Sequence, residues 1–333
     1  MRKLLQTLVA ASVLALAAAP AVAKEVWKLG TAAVPGSVLY DIVMKFVNDF
    51  NAASKDVQIE YQFIGNEQEM WQQVVRGRIQ LGASSFAAGA ITVPEGAVFN
   101  TPYLWKNDEE RAWVTDNHGT PLLRKYYADK GIHLMMAADV GWNDIICTTA
   151  CLTPESMKGM KARVSPSPAS KIVFEQLGAN GVQMPLSEFF PGLQSGLVRS
   201  GDLPFLYYVT TPAAQSAPHY VMTRHYHHPS VFIMNKALHD KAPAALKTTL
   251  EKAMPDTNWA RKQVLDTEKP KMEEFRKKGG FVHELTDAQR EEWAKVIRPG
   301  QSRMVAAVGG RAQELYDALM KGKKEWEDKF GKK

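Results

Sequence analysis

The stretch VWKLGTAAVPGSVLYDIVMKFVNDFNAASKDVQIEYQFIGNEQEMWQQVVRGRIQLGA, residues 26–83, decides the fold. Val26 to Gly30 alternates apolar and polar, as a half-buried strand does. Pro35-Gly36-Ser37 is a turn, and Ser37 is placed to cap a helix. Leu39, Ile42, Val43, Phe46, Val47 and Phe50 then recur at helical spacing. Val57, Ile59, Tyr61 and Phe63 alternate again as a strand. Glu67 to Arg76 reads as a helix with Met70, Trp71, Val74 and Val75 as its apolar stripe, and Ile79 to Ala83 as a short buried strand. The order β-α-β-α-β predicts an α/β protein whose sheet is joined by helical crossovers.

The same grammar continues outward. Strands are expected at Ile132 to Ala137, Lys161 to Val164, Val182 to Met184, Val231 to Met234 and Phe281 to Leu285. Helices are expected at Ser167 to Leu177, Glu188 to Leu197, Pro243 to Ala253 and Asp256 to Lys278. Thr286 is placed to cap a helix over Asp287 to Ile297, and a terminal helix starts near Ser302. No repeat and no low-complexity linker interrupts the chain, so two α/β units tied by more than one crossing are expected. A cleft between such units is a common place for a small-molecule site.

The ends and the charge narrow the class. Arg2 and Lys3, an apolar run from Leu4 to Ala18, and Ala21-Val22-Ala23 form a secretory signal, with cleavage expected after Ala23. The alternative is a membrane anchor, but no charged stop-transfer flank follows. With 333 residues the chain is long enough for two domains, and its 41 Lys+Arg against 35 Asp+Glu are scattered among one another. That pattern describes solvated helix faces and not a nucleic-acid surface. A secreted chain meets an oxidising compartment, where Cys147 and Cys151 are expected to pair across a turn at Thr148-Thr149-Ala150. Free thiols are the alternative, and no nearby His or carboxylate completes a metal site.

An ordered series of motifs then resembles the DctP-type substrate-binding proteins of tripartite ATP-independent periplasmic (TRAP) transporters. Trp27-Lys28-Leu29-Gly30-Thr31 with Pro35-Gly36-Ser37 is similar to the family's first strand and turn. Residues 65–74, GNEQEMWQQV, resemble its G…E.EM..QV helix, and residues 77–82, GRIQLG, its next strand. Residues 101–105, TPYLW, residues 153–164, TPESMKGMKARV, residues 177–180, LGAN, and Asn235-Lys236 follow in the family's order. The resemblance implies two α/β domains joined at a hinge, with a long helix touching both. The expected division is residues 24–140 with 230–268, and residues 141–229 with 269–333. It also implies capture of a small organic acid by cleft closure and delivery to membrane permease subunits, by a periplasmic monomer without cofactor or metal.

Within that resemblance Arg163 stands where the family places an arginine that pairs with a substrate carboxylate. A guanidinium fork matches two carboxylate oxygens, which is the chemistry the role needs. The chain departs from the pattern elsewhere. Trp142 falls near the position of a second arginine, Asp202 at that of a Glu, Leu203 at that of an Asn, and Ser165 replaces a proline. These changes argue against a dicarboxylate or sialic acid. Trp142, Phe205, Tyr207 and Tyr208, with Trp71 behind them, are candidates for an aromatic wall; Phe205 to Tyr208 reads as alternating, so only half should face one way, and ordinary core packing is the alternative for each. Glu67, Ser85 and Leu186 complete the candidate set, and Glu67 or Asp202 could meet an amine. A monocarboxylate with an apolar or aromatic part is therefore expected, with a zwitterion or amine as the alternative.

His225-Tyr226-His227-His228 suggests a loop at the cleft rim with His228 as a ligand contact. Zinc is disfavoured, because consecutive residues on a strand face opposite ways. A secreted hydrolase lacks support, since Ser84-Ser85 follows a strand without the glycines of a nucleophile elbow. A binding protein that feeds a sensor would present the same cleft.

Overall fold

The computed structural model describes residues 24–331, so the signal segment lies outside the described residues. Nine strands form one mixed sheet. They are β1 (Glu25–Thr31), β2 (Val57–Phe63), β3 (Leu81–Ser85), β4 (Ile132–Cys147), β5 (Lys161–Val164), β6 (Asn180–Gln183), β7 (Ser200–Pro204), β8 (His219–Asn235) and β9 (Phe281–His283). Their order is β2-β1-β3-β8-β4-β7-β5-β6, with β9 beside β8. The opening unit folds as its periodicity dictates. Helix α1 (Val38–Ala53) starts at Ser37, whose hydroxyl accepts from Tyr40 N, and buries Ile42, Val43, Phe46 and Phe50. Asn51 then hydrogen-bonds both Ile59 N and Ile59 O, which fastens α1 to β2. Helix α2 (Glu67–Val75) is the second crossover, and it leads into β3 beside β1.

Both faces of the sheet are covered. Val231 and Ile233 enter one apolar core while Phe232 and Met234 enter the other. That explains why this run reads as continuously apolar instead of alternating. The 21-residue helix Thr257–Lys277 is capped by Asp256, and Asp287–Ile297 carries the capping box of Thr286 and Gln289. No helix among the described residues is long and apolar enough to cross a membrane.

Four local expectations change. Two short strands become the 16-residue β4 and the 17-residue β8, which run side by side through both halves of the sheet. Their central stretches break the apolar pattern with Asp139, Gly141, Asn143 and Asp144 in β4 and with Arg224, His225, His227 and Pro229 in β8, so they read as loop. In place they are enclosed by neighbouring strands and helices. His225 to His228 therefore lie within β8 and not in a rim loop. Phe205 to Tyr208 form one turn of helix and not an alternating strand. The terminal helix expected from Ser302 is broken, with a 3-10 turn at Arg298–Arg303, a short helix Met304–Val308 and the long helix Ala312–Phe330. Cys147 and Cys151 are joined by a disulfide at the end of β4, as their spacing suggested.

The β4–β8 ladder is irregular at mid-length. Asp139 pairs with Pro229 and Trp142 with His227, so β4 carries one extra residue there. Gly141, inside the bulge, has φ +104°, which side-chain-bearing residues rarely adopt. Asp139 is buried at the bulge. Arg111 Nη1 lies 3.0 Å from its carboxylate, Arg261 Nε 2.8 Å and His227 Nε2 3.9 Å. Burial pushes its carboxyl up, but Arg111, His227 and Arg261 outweigh this and hold it well below the usual range.

Removing a buried partner strands the remaining charges, so Asp139→Ala should cost about 3–5 kcal/mol in chemical denaturation. Glu268, on the long helix beside this cluster, is pushed up to about 7 by burial and by the Asp144 charge. An unfolded Glu titrates at about 4.3, so between the two values the folded state holds a proton that the unfolded state has lost. That group's contribution should therefore fall as pH rises from about 4.5 to 7. Glu268→Gln should flatten the decline in Tm across that window.

Candidate functional site

The strands direct the site. β1, β3, β5 and β7 all end at one crevice, which their C-terminal extensions Ala32-Ala33, Ala87-Ala88, Ser165-Pro166 and Leu206-Tyr207 line. The carboxyl ends of strands are where open α/β sheets hold ligands. The crevice encloses about 820 Å³ including its open mouth.

Arg163 reaches it from β5. The residue is 5% exposed. Its Nε donates to Met184 O at 3.3 Å, and its guanidinium lies 5.2 Å from the centre of the Phe189 ring. A Cβ on Gly201, one strand over, would collide with that ring. Among the described residues no carboxylate stands within 4 Å of the guanidinium. Burial lowers its pKa, opposed by Asp202, Tyr226 and Glu67, and an arginine remains charged through such shifts. It is also the only Arg or Lys among the described residues lining the cavity.

Two carboxylates share the wall. Glu67 opens α2, where Oε1 accepts from Ser84 Oγ at 2.8 Å and Ser85 N at 3.0 Å, and Oε2 from Ser85 Oγ at 3.3 Å. Asp202, 1% exposed, takes three bonds on Oδ2, from Tyr226 OH, Asn143 Nδ2 at 3.1 Å and His225 Nε2 at 3.3 Å. Burial pushes its carboxyl up, but His225, Arg163 and Tyr226 outweigh this and leave it below the usual range. Its Oδ1 has no partner, nor do Asn143 Oδ1 and His228 Nδ1, all three buried. Burial lowers the His228 pKa against the pull of Glu67 and Asp202, so the imidazole is neutral at pH 7.

The cavity thus collects Arg163, Glu67, Ser85, Leu186, Asp202 and His228 from the candidate set. Of the aromatic candidates it collects Tyr207 but not Trp142, Phe205, Tyr208 or Trp71. Trp142 Nε1 donates to Asp108 Oδ1 at 3.2 Å, in a groove with Arg261 and Glu268. The bulge and the alternation of β4 turn Trp142 to that side and its neighbour Asn143 to the cavity. Phe205 and Tyr208, three apart on one helical turn, share a face and pack on Tyr220 at 5.0 and 5.2 Å between ring centres. Trp71 is fully buried, 5.7 Å from Tyr127. Tyr207 faces the cavity instead, and its hydroxyl donates to Ala32 O at 3.3 Å. Asn143 was not singled out from the sequence, although its place beside Trp142 on an alternating strand was the available signal. Among the described residues no group of three His, Cys, Asp or Glu is arranged to hold a metal ion.

Trp71 supports the fold from beneath α2. Trp71→Ala should lower stability by about 3–5 kcal/mol in urea unfolding.

Comparison with known proteins places this geometry. The family model for bacterial extracellular solute-binding proteins of family 7, DctP, matches residues 35–307. The C4-dicarboxylate-binding periplasmic protein DctP of Rhodobacter capsulatus is 28% identical over 320 residues, covering 92% of this chain and 95% of that protein. The 2,3-diketo-L-gulonate-binding periplasmic protein YiaO of Escherichia coli is 24% identical over 236 residues, covering 70% and 71%. Among solved structures, the sugar acid binding protein DctPAm of Advenella mimigardefordensis in complex with galactonate superposes with a TM-score of 0.83 at 20% identity, covering 90% and 99%. A TRAP periplasmic solute-binding protein of Sulfurospirillum deleyianum with bound succinate gives 0.82 at 19%, covering 89% and 98%. The ordered motifs and the fold agree, and the chain belongs to the bacterial extracellular solute-binding proteins of family 7, the DctP family.

Proposed function

We propose that this chain is the periplasmic solute-binding subunit of a TRAP transporter and that it captures a small monocarboxylate with a short apolar body. The observation that carries the reading is Arg163, a buried guanidinium with no carboxylate within 4 Å among the described residues. Two unit charges at 4 Å attract by about 4 kcal/mol at an effective dielectric constant of 20, against about 1 kcal/mol in water. A ligand carboxylate enclosed on Arg163 gains from that difference, and a second carboxylate would find no second Arg or Lys on the wall. The apolar part of the lining is mostly small and aliphatic, including Ala32, Ala88, Val140, Leu186, Leu203 and Leu206, with Tyr207 as its aromatic ring. The apolar part of the ligand is therefore short and mainly aliphatic in this reading, since Trp142, Phe205, Tyr208 and Trp71 lie elsewhere.

Closure is proposed to bend the chain where β4 and β8 lose register. The two lobes then follow the expected division at the bulge, with one change. Helix Ala312–Phe330 goes with the first lobe, because it packs on helix Asp108–Val114, where Lys323 Nζ reaches Glu110 Oε1 at 2.8 Å. The closed, liganded chain acts as a monomer that delivers its solute to membrane permease subunits and performs no chemistry on it. The periplasmic names of its relatives support the location.

The test is calorimetry of the mature protein against short monocarboxylates, dicarboxylates and sugar acids, with Arg163→Ala beside it. A monocarboxylate should bind, and the variant should lose at least about 30-fold in affinity, the lower end expected when one partner of a buried charge pair is truncated. Arg163→Lys should also weaken binding, because an ammonium cannot supply the fork. Binding of dicarboxylates alone, or unchanged affinity in Arg163→Ala, would overturn the reading.

A further inference from the structure

The cavity wall holds more acceptors than a carboxylate can use. Asp202 Oδ1 and Asn143 Oδ1 are buried without a partner, and neither can donate. Leaving such an atom unpaired in a closed site is costly, so the ligand must bring hydrogen-bond donors. The charges point the same way. Glu67 is held by two serine hydroxyls and a backbone N–H, and Asp202 by a tyrosine, an amide and an imidazole. His225 can serve Asp202 while neutral, with the hydrogen on Nε2 and Nδ1 turned to Thr223 Oγ1 at 2.8 Å. Two carboxylates thus face one guanidinium. A ligand that brought only a carboxylate would add a third carboxylate to a cavity wall with one guanidinium.

We propose that the ligand is an aminocarboxylate, whose carboxylate meets Arg163 and whose ammonium meets Asp202 and Asn143, with Glu67 across the cavity adding attraction. This rests on the carboxylate reading above and names what the other end of the molecule carries. A hydroxyl offers one hydrogen and no charge. An ammonium offers three hydrogens and removes one unit of the imbalance, which is why the geometry favours it. His228, neutral and with a free Nδ1, can accept a third hydrogen without opposing the cation.

The experiment is calorimetry with one carbon skeleton in seven forms: butyrate, 2-, 3- and 4-hydroxybutyrate, and 2-, 3- and 4-aminobutyrate. One aminobutyrate should bind at least about tenfold tighter than its hydroxy counterpart and than butyrate, as a charge-assisted bond exceeds a neutral one. Asp202→Asn should bring that ratio to within about threefold, because the amide removes the charge and keeps the shape. Glu67→Gln, at the start of α2, should lower the same ratio by a smaller factor and serves where Asp202→Asn fails to fold. Equal or tighter binding of butyrate or a hydroxybutyrate would overturn the ammonium while leaving the carboxylate anchor standing. A preference unchanged in both variants would overturn the assignment to these carboxylates. Absence of binding by all seven acids would overturn the proposal. If the wider acid screen were also silent, the carboxylate reading would fall with it.

Discussion

The antiparallel ladder between β4 and β8 is the constraint on which the other elements depend. These two strands are the only ones long enough to belong to both halves of the sheet among the described residues, and each half is built outward from them. Their backbone groups are buried and must be paired, so the ladder cannot be broken in the middle without cost. It is instead deformed. One extra residue near Asp139 and a wider slip opposite Asp144 let the pair continue while changing direction. Each irregularity is filled by a buried carboxylate. Asp139 gathers Arg111, Arg261 and His227, and Asp144 accepts from Tyr220 OH at 2.9 Å and from the backbone N–H of Arg224, a residue with φ +47°. The same deformation chooses which β4 side chains see the cavity. It sends Asn143 inward and Trp142 out.

Arg163 illustrates how a buried charge is left without a carboxylate partner among the described residues of its own chain. A buried arginine is usually neutralised by a carboxylate of its own protein, and then has less to offer a ligand. Here the guanidinium is oriented by a carbonyl oxygen and by an aromatic face. Both contacts suit a cation, and neither cancels its charge. The carboxylates that do share the cavity, Glu67 and the Oδ2 oxygen of Asp202, accept from serine, tyrosine, amide and imidazole groups. Opposite charges thus stay separate within one enclosure.

The family's shared fold leaves ligand choice to the wall. The relatives are named for C4-dicarboxylate and 2,3-diketo-L-gulonate, and solved structures of the same fold hold galactonate and succinate. In this chain small aliphatic residues and the paired carboxylates stand at those strand ends, and a second guanidinium does not.

The order of elements, the helix caps and the disulfide were readable from the chain because each depends on residues near one another. Ser37, Ser167 and Thr286 cap their own helices, and Cys147 finds Cys151 four residues on. Arg163, Glu67 and His228 were readable through motif position and chemistry. The length of β4 and β8, the direction of Trp142 and the burial of Phe205, Tyr208 and Trp71 were not. Those outcomes depend on which distant segment covers a residue. A polar run becomes strand only when Arg111 and Arg261 arrive from other helices, and an aromatic becomes core only when Phe275 or Tyr127 packs over it. The sequence by itself determined the α/β alternation and the supply of one arginine and two acids. Tertiary structure alone decided which acids, amides and aromatics share a wall with that arginine, because a one-residue bulge reverses facing in a way local periodicity cannot record.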